Sequence, residues 1–333
     1  MATLLVRATS FLFLLAAGAA AQVPADLQQR ARAVFGTLPA VAESKDNPIT
    51  EAKITLGRTL YFDPRLSASN TISCNSCHQL DRFGVDGEPT SPGHKGERGE
   101  RNSPTVYNAA FHFVQFWDGR AATIEEQAKG PILNPVEMGM SGDVAVIDKL
   151  RAIPGYQPLF AAAFPNQPQP ITYDNIALAI GAFERKLVTP APFDRYLAGD
   201  TGALTEQQQL GLAKFMDNGC IICHTGPLLG GSMYQKLGLV KPYPSKDPGR
   251  AKVTNSPADQ NIFKVPSLRN IAQTGPYFHD GSLKTLPETV KVMGEYQLGR
   301  QLSDQDVALI VDFLGSLTGT VDTAYTAAPK LPQ

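Results

Sequence analysis

All four cysteines of this 333-residue chain lie in two pentapeptides, Cys74-Asn75-Ser76-Cys77-His78 and Cys220-Ile221-Ile222-Cys223-His224. Each reads C-x-x-C-H, the attachment signature of a c-type haem. The two thiols add to the vinyl groups, and the adjacent histidine reaches the iron as proximal ligand. Four cysteines in an exported chain ordinarily suggest two disulfides, but these four are paired with histidines rather than scattered. A thioredoxin-like redox pair does not require the histidine. A zinc site built from both pairs would be closed and tetrahedral, leaving His78 and His224 unexplained. The chain therefore has to fold around two covalent haems. Its composition agrees: only 8% of residues are aromatic, while Gly 29 and Pro 26 exceed the usual share of about 12%. A loop-rich chain short of aromatics gains from large apolar cofactors inside it.

The two halves repeat beyond these motifs. Leu56-Gly57 precedes Asp63 as Leu210-Gly211 precedes Asp217. Pro104-Thr105-x-x-Asn108 recurs as Pro266-Ser267-x-x-Asn270. Trp117-Asp118-Gly119-x-x-x-Thr123-Ile124-x-Glu126 recurs as His279-Asp280-Gly281-x-x-x-Thr285-Leu286-x-Glu288, at a constant offset of 162 residues. The expected fold is mostly α and loop-rich, with two tandem cytochrome-c-like domains, each holding one covalent haem. Residues 1–21 form a signal peptide, 22–187 the N-terminal haem domain and 188–333 the C-terminal one, with Pro190-Ala191-Pro192 as linker.

The leader is an apolar run, Phe11 to Ala17, too short to span a bilayer at ~20 residues. Ala19-Ala20-Ala21 fits a cleavage site. An uncleaved anchor is the competing reading. Export places the mature protein in the periplasm, without a membrane anchor once the leader is cut. A formal net charge of −1 excludes the basic balance of a non-specific nucleic-acid binder. Helices are expected over 205–216, around Ile176 to Phe183, and after a Ser303 cap with Val307, Ile310, Val311 and Leu314 inward. Residues 84–104 and 241–260 read as loops.

Each iron needs a sixth ligand or an open face, and that choice separates a carrier from an enzyme. Beyond the proximal pair there remain His94, His112 and His279, and Met138, Met140, Met216, Met233 and Met293. Met293 lies on a helix 69 residues after His224 and suits the second haem, although a core methionine also fits the spacing. His/Met ligation raises a haem's potential. Shifting Met293 back by 162 lands on Pro131, which cannot bind iron. For the first haem the nearby substitute is His94, sixteen residues after His78 in the Gly/Pro-rich loop, where a solvated histidine is equally at home. Glu125 and Glu126 are expected on a solvated helix start. Glu137, flanked by apolar residues in Asn134-Pro135-Val136-Glu137-Met138-Gly139, is the better buried acid.

Together with Gly93-His94, Phe116-Trp117-Asp118-Gly119-Arg120, Val265-Pro266-Ser267-Leu268-Arg269-Asn270, Tyr277-Phe278-His279-Asp280-Gly281 and Val292-Met293-Gly294, these motifs carry a likeness. Over nearly all of its mature length the chain resembles the bacterial di-haem cytochrome c peroxidases. The resemblance implies a peroxidatic N-terminal haem with His94 as removable distal ligand. It implies a C-terminal haem, ligated by Met293, that accepts electrons from a small cytochrome c or a cupredoxin. Trp117 corresponds to the tryptophan between the haems, and Gln127 and Glu137 to the polar pair of the peroxide pocket. A calcium ion between the domains would be held by Asn102 and by the backbone oxygens of Thr274 and Pro276, as suits an oxygen-seeking cation. A homodimer is also implied. His279 fits a structural or propionate-contacting role, and His112 has no family role.

The expected reaction is reduction of hydrogen peroxide to water. A related protein matures a quinone cofactor and carries tyrosine as the second haem's distal ligand; Met293 argues against that job here, while Tyr296 keeps it open. From another class, a plain di-haem electron carrier would have two six-coordinate haems and no turnover.

Overall fold

The computed structural model describes residues 22–333. The leader expected over 1–21 lies outside the described residues. Among those described there are twelve α-helices and one two-stranded sheet, and no helix is long and apolar enough to cross a membrane.

Two helix pairs with the same construction organise the chain. The helix Glu51–Phe62 starts at Thr50, whose hydroxyl accepts from the Lys53 amide, and packs on Tyr173–Glu184. The helix Glu206–Asp217 begins with a capping box, Thr205 with Gln208, and packs on Asp304–Gly315, capped by Ser303. Both crossings are made at a glycine. A Cβ on Gly57 would stand 1.9 Å from the Ala179 carbonyl oxygen, and one on Gly211 would stand 1.9 Å from that of Leu309. The Leu-Gly pair repeated in the sequence is thus the close-approach point of each pair. Leu56, Leu60, Ile176 and Ile180 fill the first core, and Leu212, Phe215, Ile310 and Phe313 the second. Each such side chain contributes roughly 1.5–3 kcal/mol on burial.

The ends of the chain cross over. The helix Leu27–Val34 puts Leu27 and Ala31 into the core around Phe193 and Phe313. The tail returns to the other half, where the Tyr325 hydroxyl donates to the Phe183 carbonyl at 2.8 Å and the two rings stack.

The repeated asparagines meet at the middle of the chain. Asn108 and Asn270 both adopt left-handed backbone, and their side-chain amides donate to one oxygen, Thr189 Oγ1, at 2.8 and 2.9 Å. Thr189 and Ala191 are buried, so the stretch that reads as a linker is a packed seam, and Pro192 opens the helix Pro192–Ala198. The 241–260 stretch is not wholly loop: Arg250, packed on Tyr234, leads into the one-turn helix Ala251–Thr254. The sheet pairs Tyr234–Lys236 antiparallel with Ile262–Lys264. From it Lys264 reaches the N-terminal half, where its amide donates to the Trp117 carbonyl at 2.8 Å. Arg101 ties the seam further, to Asp118 at 2.6 Å and to Asp247 at 2.6 and 2.8 Å.

Candidate haem sites and the seam between them

Cys74 and Cys77 occupy a single helical turn, Cys74–Cys77, with a Ser73/Ser76 capping box. His78 caps its end, and the Tyr61 hydroxyl fixes the His78 carbonyl at 2.7 Å. His78 Nδ1 is buried without a hydrogen-bond partner. In the second half Cys220–Ile222 is a short 3-10 turn. There His224 Nδ1 pairs with the Leu229 carbonyl at 2.8 Å, which orients the ring and leaves Nε2 for a metal. Burial lowers the pKa of both rings, so each is held neutral, the form in which imidazole binds a metal. None of the four thiols is joined to another.

Cys220, Cys223 and His224 line a cavity walled mainly by apolar atoms, and Met293 lines it too, from the helix Leu286–Leu298. Tyr296 is not on that wall. Its ring lies edge-on to Tyr243 at 5.4 Å, under Lys241. Of the other methionines, Met216, Met138 and Met140 are buried in the helical cores. The chemistry of this set, two thiols, a neutral histidine and a thioether round an apolar cavity, fits a c-type haem.

Around the first motif the arrangement differs. Pro131, at the repeat position of Met293, lies inside the helix Ile124–Leu133. The following turn folds back on that helix through Met138 N to Pro131 O at 3.2 Å. Gln127 stands half-buried on the helix, and Glu137 is on the turn. Burial raises the Glu137 pKa, opposed by Arg120 and by Asn134, whose amide donates to the carboxylate at 2.8 Å. Glu137 in turn acts electrostatically on the Cys77 thiol, whose pKa is raised mainly by burial. His94 docks on the same turn: its amide donates to the Glu137 carbonyl at 2.8 Å, and Nε2 pairs with the Pro135 carbonyl at 3.1 Å. Gly93 permits this, since a Cβ there would be 1.7 Å from the Val136 carbonyl oxygen.

Trp117 lies in the cavity wall of the other half. Its indole donates to the Asn102 carbonyl at 2.9 Å, and the Asn102 amide donates to the His279 carbonyl at 2.7 Å. Asn102, Thr274 and Pro276 all border this cavity. Asn102 uses its side-chain nitrogen on the Glu88 carbonyl at 3.0 Å, leaving its side-chain oxygen on the acceptor side. His279 stacks on Phe263 and pairs through Nε2 with Ser245 at 3.0 Å.

One expectation about the site residues is corrected. Glu125 is buried, not solvated: Arg185 grips both its oxygens, at 2.8 and 3.0 Å, and Asn47 adds a third bond at 2.9 Å. Those partners lie 60 and 78 residues away, beyond the reach of any local pattern. Glu126 is exposed and closes its own helix start on the Ala122 amide. Sequence reading also passed over Lys264, whose ammonium is 2.7 Å from His112 Nδ1; a lysine in a short strand carries no local signal.

A family model described as di-haem cytochrome c peroxidase matches residues 51–202. Cytochrome c551 peroxidase of Pseudomonas aeruginosa is 49% identical over 300 residues, covering 88% of this chain and 86% of that one. The chain belongs to the di-haem cytochrome c peroxidase family. Its cofactors are accordingly two c-type haems. Methylamine utilization protein MauG of Methylophilus methylotrophus is 36% identical, covering 86% of this chain and 88% of its own. Among solved structures, a MauG-like protein associated with microbial copper homeostasis has a TM-score of 0.79 at 30% identity, covering 88% of this chain and 97% of that one. The family thus includes two kinds of namesake, and the residues around the cavities bear on which one this peroxidase-family chain follows.

Proposed function

We propose that this enzyme reduces hydrogen peroxide to water with electrons from a small periplasmic carrier, a cytochrome c or a cupredoxin. In this reading the N-terminal haem receives peroxide and the C-terminal haem accepts electrons. The observation that carries it is an asymmetry in an otherwise regular repeat: Met293 faces the C-terminal cavity, whereas its N-terminal counterpart is Pro131, inside a helix. Met293 would hold the iron of the C-terminal haem, and Pro131 offers the other half no ligand in that place. The haems supply the iron that binds peroxide and the redox equivalents that reduce it.

The chain's residues supply proton handling and gating. Glu137, half-buried and steadied by Asn134, would take a proton from one peroxide oxygen and deliver it to the other. Gln127, on the adjoining helix, would hold the developing charge by hydrogen bonding. His94 shares a backbone bond with Glu137, so its loop and the acid's turn are mechanically joined. As distal ligand to the first iron, His94 would have to give up its Nε2 contact with Pro135. Trp117, at the seam, lies on the route between the halves. A calcium ion on Asn102, Thr274 and Pro276 would stiffen that seam. The leader over 1–21 supports a periplasmic location, and a homodimer remains part of the proposal by family likeness.

The maturation role of the MauG relatives is the second reading. The placement of Tyr296 outside the cavity wall, with Met293 on it, favours peroxide reduction instead. The deciding experiment is stopped-flow consumption of hydrogen peroxide by the half-reduced protein with reduced cytochrome c as donor. Multiple turnovers support the proposal. A protein that stays six-coordinate at both haems and turns nothing over is an electron carrier.

A further inference from the structure

Lys264 is only 6% exposed, and a buried ammonium is costly unless paired. Its nitrogen has two neighbours, His112 Nδ1 at 2.7 Å and the Val114 carbonyl at 3.1 Å, neither of them anionic. The acid that acts on it electrostatically is Asp118, which is already committed to Arg101 at 2.6 Å and to Arg120 at 3.1 Å. Left this way, burial pulls the Lys264 pKa down to about 7. His112 is kept neutral by the same burial and by the lysine itself. A lysine ammonium can only donate, so its bond to Nδ1 puts the imidazole proton on Nε2. That Nε2 is buried and has no partner. Two unsatisfied donors, one of them charged, therefore belong to residues on the wall of the cavity that Cys220, Cys223 and His224 line.

We propose that Lys264, backed by His112, is the carboxylate-binding corner of the C-terminal cavity and takes a propionate of the haem held there. A carboxylate supplies both what the ammonium lacks, a counter-charge, and what the two donors lack, acceptors. The pair spans the seam, because His112 belongs to the N-terminal half and Lys264 to the C-terminal sheet. The same lysine holds the Trp117 carbonyl through its amide. The haem carboxylate is thereby fastened to the segment that carries Trp117. This inference rests on haem attachment at Cys220 and Cys223, not on peroxide turnover, so the two can fail separately.

The test uses full-length holoprotein with both haems attached. Lys264→Met removes the charge with little change in volume, and Lys264→Arg keeps it. In Lys264→Met the propionate bending band of the C-terminal haem in the resonance Raman spectrum should shift. The midpoint potential of that haem should fall, because a cation that favours the ferrous state is gone. Lys264→Arg should recover most of both. A purely structural lysine would change thermal stability and leave band and potential alone. If Lys264→Met yields no folded protein, His112→Phe, which removes only the second donor, should shift the same band. An unchanged band and potential in the folded variant, or a change confined to the N-terminal haem, overturns the proposal.

Discussion

Trp117 and His279 occupy the same place in the internal repeat and face each other across the seam, ring centroids 6.5 Å apart at an interplanar angle of 74°. The backbone of Asn102 joins them, accepting from the indole and donating to the histidine carbonyl. Duplication thus left two equivalent positions in contact at the middle of the molecule, where they have diverged in residue type. Five expectations about the sites on either side of this pair can be measured.

Both haems should survive denaturation on the chain. Intact mass after unfolding should exceed the polypeptide by two haems. Loss of haem into acidified acetone would refute thioether attachment at Cys74, Cys77, Cys220 and Cys223.

Glu137→Gln should leave both haem spectra nearly intact and slow turnover by ~10²–10⁴, the usual worth of a positioned acid–base group. In the parent enzyme, burial raises the Glu137 pKa. With the carboxylate as the proposed proton acceptor, activity should fall on acidification at a pH above the ordinary glutamate value. The variant's profile should lack that limb. Unchanged kcat would make Glu137 a structural acid only.

Met293→Leu should turn the second haem high-spin or misligated and lower its potential, since thioether ligation favours the ferrous state. Turnover would then stop at electron entry. Tyr296→Phe is the control, and its low-spin spectrum should match the parent's. A normal spectrum in Met293→Leu would move the ligand elsewhere.

His94→Gly should open the first haem while the protein is fully oxidised, so that it reacts with peroxide without prior reduction. Electron paramagnetic resonance should show a new high-spin signal. Identical low-spin spectra for parent and variant would dismiss His94 as the gate.

Glu125→Gln should destabilise the fold by about 3–5 kcal/mol, the cost of removing one partner from a buried ion pair, with little effect on the haem spectra. Arg185 and Asn47 hold the Glu125 pKa below its ordinary value. A carboxyl depressed in the folded state contributes its full stability above its unfolded pKa and loses it as the pH falls through the folded one. The stability difference between parent and variant, read by urea unfolding, should therefore shrink only in the acid range below about 4.3.

Much of this was legible from residues alone, because the signals are covalent or local. C-x-x-C-H specifies haem attachment wherever it lies in a fold, and the caps at Thr205 and Ser303 need only three following residues. The constant offset of 162 exposes the internal repeat and sets Pro131 opposite Met293 by subtraction. Tertiary structure alone decided which distant side chains share a cavity and which charges go under. Glu125 looks like any acid in a first helical turn until Arg185 closes on it from 60 residues away. Lys264 and His112 are 152 residues apart and belong to different halves. Met293 and Tyr296 sit three residues apart on one helix, and only the packing of Tyr243 and Lys241 turns one from the cavity and leaves the other in its wall. Burial and pairing are set by what arrives from elsewhere in the chain, and a local pattern carries no record of that.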